Sequence, residues 1–129
     1  MKAILDAIWT RLAASTVYTT LGGRIYLSQG EADVILPLMV YNSAETTVEN
    51  LFGGVVKHSM DIEFQIFFDN TGSAIIHTVA SQLATALSTT TAATGFDRVS
   101  FVRLSSGVPS FADDSWSMTE RYRAIAFDI

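Results

Sequence analysis

Residues 55–87 read VVKHSMDIEFQIFFDN and then TGSAIIHTVASQLATAL. Every second residue from Val56 is Val, His, Met, Ile, Phe, Ile, Phe, ending at Phe68. The positions between them are Lys57, Ser59, Asp61, Glu63, Gln65 and Asp69, with Phe67 as a large apolar exception. Alternation of this length is the period of a strand with one buried and one wetter face. At Asn70-Thr71-Gly72 the chain turns and the period becomes 3.6. Ile76, Val79, Leu83 and Leu87 then fall on one helical stripe, with Ile75 beside it. The stretch predicts a one-faced strand feeding a helix, two oily faces that cover each other.

Working outward, residues 2–14 predict an N-terminal helix, with Ile4, Leu5, Ile8 and Leu12 on one stripe and Trp9 at its border. Asp6 and Arg11 interrupt its apolar run, so it reads as an amphipathic helix of the domain and not as a secretory leader. Residues 17–21 read as a link, and Gly22-Gly23 as a turn. Strands are expected at residues 24–27 and 36–43, with Pro37 at a strand start or a sheet edge. Residues 44–54 read as a long hairpin connection, of the kind that often binds something. Residues 89–95 and 106–114 read as loops, between which residues 98–105 form a strand. Residues 115–128 predict a long last strand. In it Trp116, Met118 and Tyr122 share one parity and Ile125, Phe127 and Ile129 the other, so a bulge is expected near residues 120–123. The fold class is α+β: a single two-layer domain over residues 1–129, a mainly antiparallel sheet with two helices packed on one face.

Composition narrows function. Charged residues are 16% against 49% hydrophobic, where about 25% charged is usual. A surface so poor in charge suits a chain that meets copies of itself or a neighbour. The net charge of −5, with 8 basic residues and no basic run, argues against a chain that grips nucleic-acid phosphates. There is no cysteine, hence no disulfide framework or thiolate metal site, and no apolar run approaches the roughly 20 residues of a membrane span.

The chemistry-bearing residues are sparse. His58 and His77 are the two histidines; with no HExxH motif and no thiol, they read as packing residues. Asp61, Glu63 and Asp69 alternate along a strand, as solvent-face carboxylates commonly do. No GxSxG elbow or Walker sequence is present. No cofactor is implied.

Two features point to assembly. From Asn70 to Phe96 there is no Asp, Glu, Lys or Arg, so the helix there faces outward through His77, Ser81, Thr85 and Ser88, with Ala80, Ala84 and Ala86 close by. In the 44–54 connection, Val48, Leu51 and Phe52 are apolar anchors for a subunit interface. Glu31, Asp33, Glu45, Glu49, Asp113 and Asp114 place negative charge in loops, and Phe111 and Trp116 are further candidates for partner contact.

The succession Leu21-Gly22-Gly23-Arg24-Ile25-Tyr26, Leu36-Pro37-Leu38-Met39-Val40-Tyr41, a Gly-containing connection, the alternating strand and the helix after it resembles the tail terminator (tail-completion) family of long-tailed bacteriophages and prophages. The likeness covers most of residues 1–105 and lies in the order and spacing of short motifs. It implies a homohexameric ring on the head-proximal end of the tail tube. The ring would stop polymerisation and present a surface to the head connector or stopper protein, within the virion and without catalysis. In such a ring the charges would sum to about −30, and the acidic residues would line an edge or lumen through which DNA passes unbound. A different neck (head–tail joining) protein and a small ligand-binding or enzymatic α+β domain are the alternative expectations.

Overall fold

The computed structural model describes residues 2–27, 37–69, 74–88, 91–93, 95–112 and 115–128. Helices α1 (Lys2–Ala13), α2 (Thr16–Thr20) and α3 (Ala74–Ala86) pack on a seven-stranded sheet. Its strands are β1 (Ile25–Leu27), β2 (Leu38–Asn50), β3 (Val56–Phe68), β4 (Thr91–Ala93), β5 (Phe96–Ser106), β6 (Ser110–Ala112) and β7 (Ser115–Asp128). The spatial order is β1-β2-β3-β7-β5-β4, with β6 also on β7. All pairs are antiparallel except β1 with β2, which run parallel.

The alternating stretch is the centre of this sheet. Met60, Ile62, Phe64, Ile66 and Phe68 of β3 are all buried. Register carries the same face across the neighbours: Met39 and Tyr41 on β2, and Met118, Tyr122, Ala124 and Ala126 on β7. The stripes of α1 (Ile4, Ile8, Leu12) and α3 (Ile76, Val79, Leu83) close over it as one core. Two polar contacts fix the helices to one another. Arg11 Nε donates to the Ala86 carbonyl at 2.7 Å, a cation at the carbonyl end of α3 where the helix dipole favours it. Thr20 Oγ1 donates to Gln82 Oε1 at 2.8 Å, joining α2 to α3.

Several sequence expectations need correction. Residues 17–21 are not a link, because α2 forms there and its Val17 enters the core. Residues 44–50 are not part of a connection: β2 runs on through them along β3, with one bulge between Ser43 and Glu45, and the turn shrinks to a single 3-10 turn at Phe52–Gly54. Gly53 and Gly54, at φ 75° and 78°, take the left-handed conformations that this tight reversal demands. The loops expected at 89–95 and 106–114 each contain a short strand, β4 and β6. Nor does β7 bulge. It pairs without a break against β3 from Trp116 to Phe127, and its inward positions pass from large residues to Ala124 and Ala126, both buried. The outward Ile125 and Phe127 mimic a change of parity only because the inward partners became small. On the other side of β7 the irregularities belong to β5, at Phe96/Val99 and Arg103/Ser105.

Candidate functional site

Beyond Tyr41, β2 leaves the cover of β1, whose pairing ends at Leu27 with Tyr41. What remains is a hairpin arm made of the last part of β2, the turn and the start of β3. Thirteen residues of β2 span about 40 Å at strand rise, and residues 46–51 are exposed throughout. Val48 is 56% and Leu51 40% accessible, with Val55 at 41%. Val48 sits opposite His58, on the face that carries the core, yet on the outer strand it stays exposed while Ala126 and Val99 at the same level are buried. The start of β3 is held by β7 from Lys57 onward, so the arm is the sheet's outer edge, with an apolar tip that no described residue covers. The side chain of Phe52 lies outside what is described.

The outward face of α3 is as uncharged as the sequence implies. His77, Ser81, Thr85 and Ser88 are exposed. Thr85 Oγ1 donates back to the Ser81 carbonyl at 3.1 Å and Ser88 Oγ to the Thr85 carbonyl at 2.7 Å, so two of these hydroxyls are already satisfied by the helix itself. Ala80 and Ala86 are buried and Ala84 is half-buried, which takes them out of the outer surface. Ile75, 43% accessible, adds an apolar point to it.

Of the acidic residues, Glu31, Asp33, Asp113 and Asp114 lie outside the described residues. Glu45 and Glu49 are on a strand and not in a loop, opposite Asp61 and Lys57 respectively. Phe111 is half exposed and its ring lies 5.3 Å from that of Trp116. Trp116 itself is half-buried and packs on the core. Of that pair, Phe111 is the one that offers surface to a partner.

The sheet face opposite the helices carries an ion-pair ladder that single-strand periodicity does not reveal. Arg123 donates to Asp61 at 2.7 and 3.3 Å, and Arg121 approaches Glu63 at 3.3 Å. Both pairs are direct cross-strand neighbours. The hydrogen bonds from Arg123 hold the Asp61 carboxyl below its ordinary range. A lowered native value stabilises the fold above the unfolded value near 4, and that stabilisation is lost as pH falls through the native value. Solvent reaches both groups, so the pair contributes under about 1 kcal/mol. Asp61→Asn is expected to cost a few tenths of a kcal/mol at pH 7, a cost that shrinks as pH falls below the unfolded value and through the native one. Urea unfolding across that range checks it, and a pH-independent difference would deny the ion pair its role.

Cavities near these surfaces are shallow. One of about 220 Å³ lies over Thr47, Glu49, Lys57, Ser59, Asp61 and Arg123 on the ladder face. Another of about 230 Å³ lies between α3 and the α1–α2 junction, at Arg11, Ser15 and Gln82. The perturbed carboxyl in the first is explained by its ion pair. Among the described residues no group of three or more His, Cys, Asp or Glu is placed to hold a metal ion, and no helix is long and apolar enough to cross a membrane.

Sequence comparison finds no matching family model and no matching curated protein. Structural comparison does find likeness. A chain from the virion of a native gene transfer agent particle superposes with a TM-score of 0.70 over 97% of this chain and 95% of its own length, at 16% identity. A second solved protein, described by an identifier alone, gives 0.70 over 97% and 94% at 13% identity. Identities this low speak for the fold alone. Along nearly its whole length, the chain shares the α+β fold of a protein found in an assembled virion particle.

Proposed function

We propose that this chain is a structural protein of a phage-type virion and, within that class, a tail terminator. Six copies form a ring on the head-proximal end of the tail tube. One face of the ring matches the growing end; the other refuses a further tube subunit and receives the head connector or stopper. The observation that carries the reading is the full-length fold likeness to a virion chain, in a protein whose most exposed elements offer contact surface and no reaction chemistry. Subunit contacts fall to the hairpin arm, through Val48 and Leu51, and to the uncharged face of α3. The acidic residues of the arm, with the net charge of −5, suit a lumen that repels DNA in passage.

The test joins assembly to capping. Light scattering of the purified chain, alone and with tail tubes, is expected to show a hexamer or binding to tube ends. A chain that does neither is no terminator. Val48→Asp with Leu51→Asp is expected to abolish the ring while changing unfolding free energy by less than about 1 kcal/mol, because both side chains are already in water. A double variant that still assembles takes the arm out of the interface.

A further inference from the structure

Among the described residues the sheet has a free edge at each side. On β2 it runs from Asn42 to Asn50, past the end of the β1 pairing. On β5 it runs from Ser100 to Ser106, past the last β4 pair at Val99. An unpaired edge with open N–H and C=O groups is a template for another strand. Neither free stretch contains proline or lysine, two of the residues that commonly blunt such edges, and each carries a single bulge, at Ser43/Glu45 and Arg103/Ser105.

The two edges match in direction, height and side-chain character. Three successive antiparallel pairings separate them, so β2 and β5 run in opposite directions. A second copy related by rotation about an axis along the strands would therefore bring its β2 antiparallel to β5. Following the register across the sheet gives the heights. Thr47 is level with Ser59, Ile125 and Ser100, and Glu45 with Asp61, Arg123 and Val102. Glu49 is level with Lys57 and Phe127. On the core face, Thr46 is level with Phe101 and Val48 lies one pair beyond it. Phe101 packs only partly against the core, and Val48 has no cover among the described residues of its own chain. Joined edges place Thr46 and Val48 beside Phe101, continuing the apolar layer from one copy into the next.

From these matches we infer that copies of this chain assemble head to tail by sheet continuation, the β2 edge of one copy pairing antiparallel with the β5 edge of the next. The contact is heterologous, as a ring requires. It rests on the ring reading and specifies the surface that makes the ring.

The absence of cysteine from the chain makes a disulfide trap clean. Thr47→Cys with Ser100→Cys puts level, same-face thiols on the two edges. Thr47→Cys with Val102→Cys covers a register tilted by two residues. Under mild oxidation at concentrations where light scattering detects oligomer, or on tail ends, one of the double variants is expected to give a ladder of covalent multimers up to the ring. The single variants are expected to give no product beyond a dimer. An oligomer that no double variant links overturns the edge contact and leaves the ring standing. A chain that neither associates nor links overturns both. Ladders that survive Val48→Asp undiminished also overturn the edge contact, because they place the junction away from Val48 and Phe101.

Discussion

Replacing Phe64 with alanine is expected to destabilise the fold by about 4 kcal/mol, within the range found when buried aromatic side chains are truncated. Phe64 is fully buried within β3, the strand with long ladders on both sides. Its ring stacks on Tyr41 at 5.9 Å and meets Tyr122 edge-on at 5.7 Å, geometries that add to the area term. Ile76, Val79 and Leu83 of α3 belong to the same core. Alanine leaves a cavity between two rings held by separate strands, which cannot collapse together without bending the sheet. Phe64→Leu keeps most of the volume and is expected to cost about 1–2 kcal/mol. Urea unfolding with a common slope measures both. A cost below about 1 kcal/mol for the alanine variant would show that the core is not organised around this ring.

That expectation is open to sequence reading because Phe64 belongs to an unbroken alternation, where every inward residue from Met60 to Phe68 is apolar. The same reasoning locates α1, α3 and the two-layer arrangement. It misses what periodicity does not encode. Residues 44–50 are mostly polar and follow a bulge between Ser43 and Glu45 that shifts the parity of β2; the pattern therefore looks like a loop although the ladder continues to Asn50. β4 and β6 are each three residues long, too short to show a period, and exist because longer neighbours offer edges. The parallel β1–β2 pairing depends on a return of the chain that local sequence does not specify. At the candidate interface, the exposure of Val48 and the uncharged α3 face are visible as composition. The free edges are not, because an edge is a property of strand order. The ion-pair ladder needs the register of β3 against β7.

Glu120 is part of a structural device that the periodicity of β7 does not reveal. It stands at the inward parity of β7 between Met118 and Tyr122, within the stretch where the change of apolar parity predicts a bulge. Instead the strand stays regular and the neighbour bends. The irregularity between Arg103 and Ser105 inserts an extra residue into β5. Arg103 and Ser106, three positions apart and otherwise on opposite faces, thereby come to the same side. Arg103 Nε and Nη2 donate to Glu120 Oε2 at 3.1 and 2.9 Å, Nη2 also reaches Oε1 at 2.8 Å, and Ser106 Oγ donates to Oε1 at 2.7 Å. The carboxylate is 0% accessible, whereas the Arg103 side chain is 43% accessible. The two partners are thus unequal. Arg103→Ala is expected to cost about 3 kcal/mol, because it leaves a buried charge with a hydroxyl as its remaining donor. Glu120→Gln is expected to cost about 1 kcal/mol, since the guanidinium it releases is already half in water. Arg103→Met with Glu120→Leu is expected to recover most of the loss, as replacement of a whole buried pair by apolar groups often does. A double-mutant cycle by urea unfolding reads all three. Equal costs for the two single variants would refute the asymmetry. Because Arg103 lies on the free stretch of β5, the same cycle has a second readout in assembly. The apolar double variant keeps the monomer folded while removing the side-chain fork that holds this bulged edge in shape. A folded monomer with a weakened ring would show that Glu120 is buried in order to shape the edge.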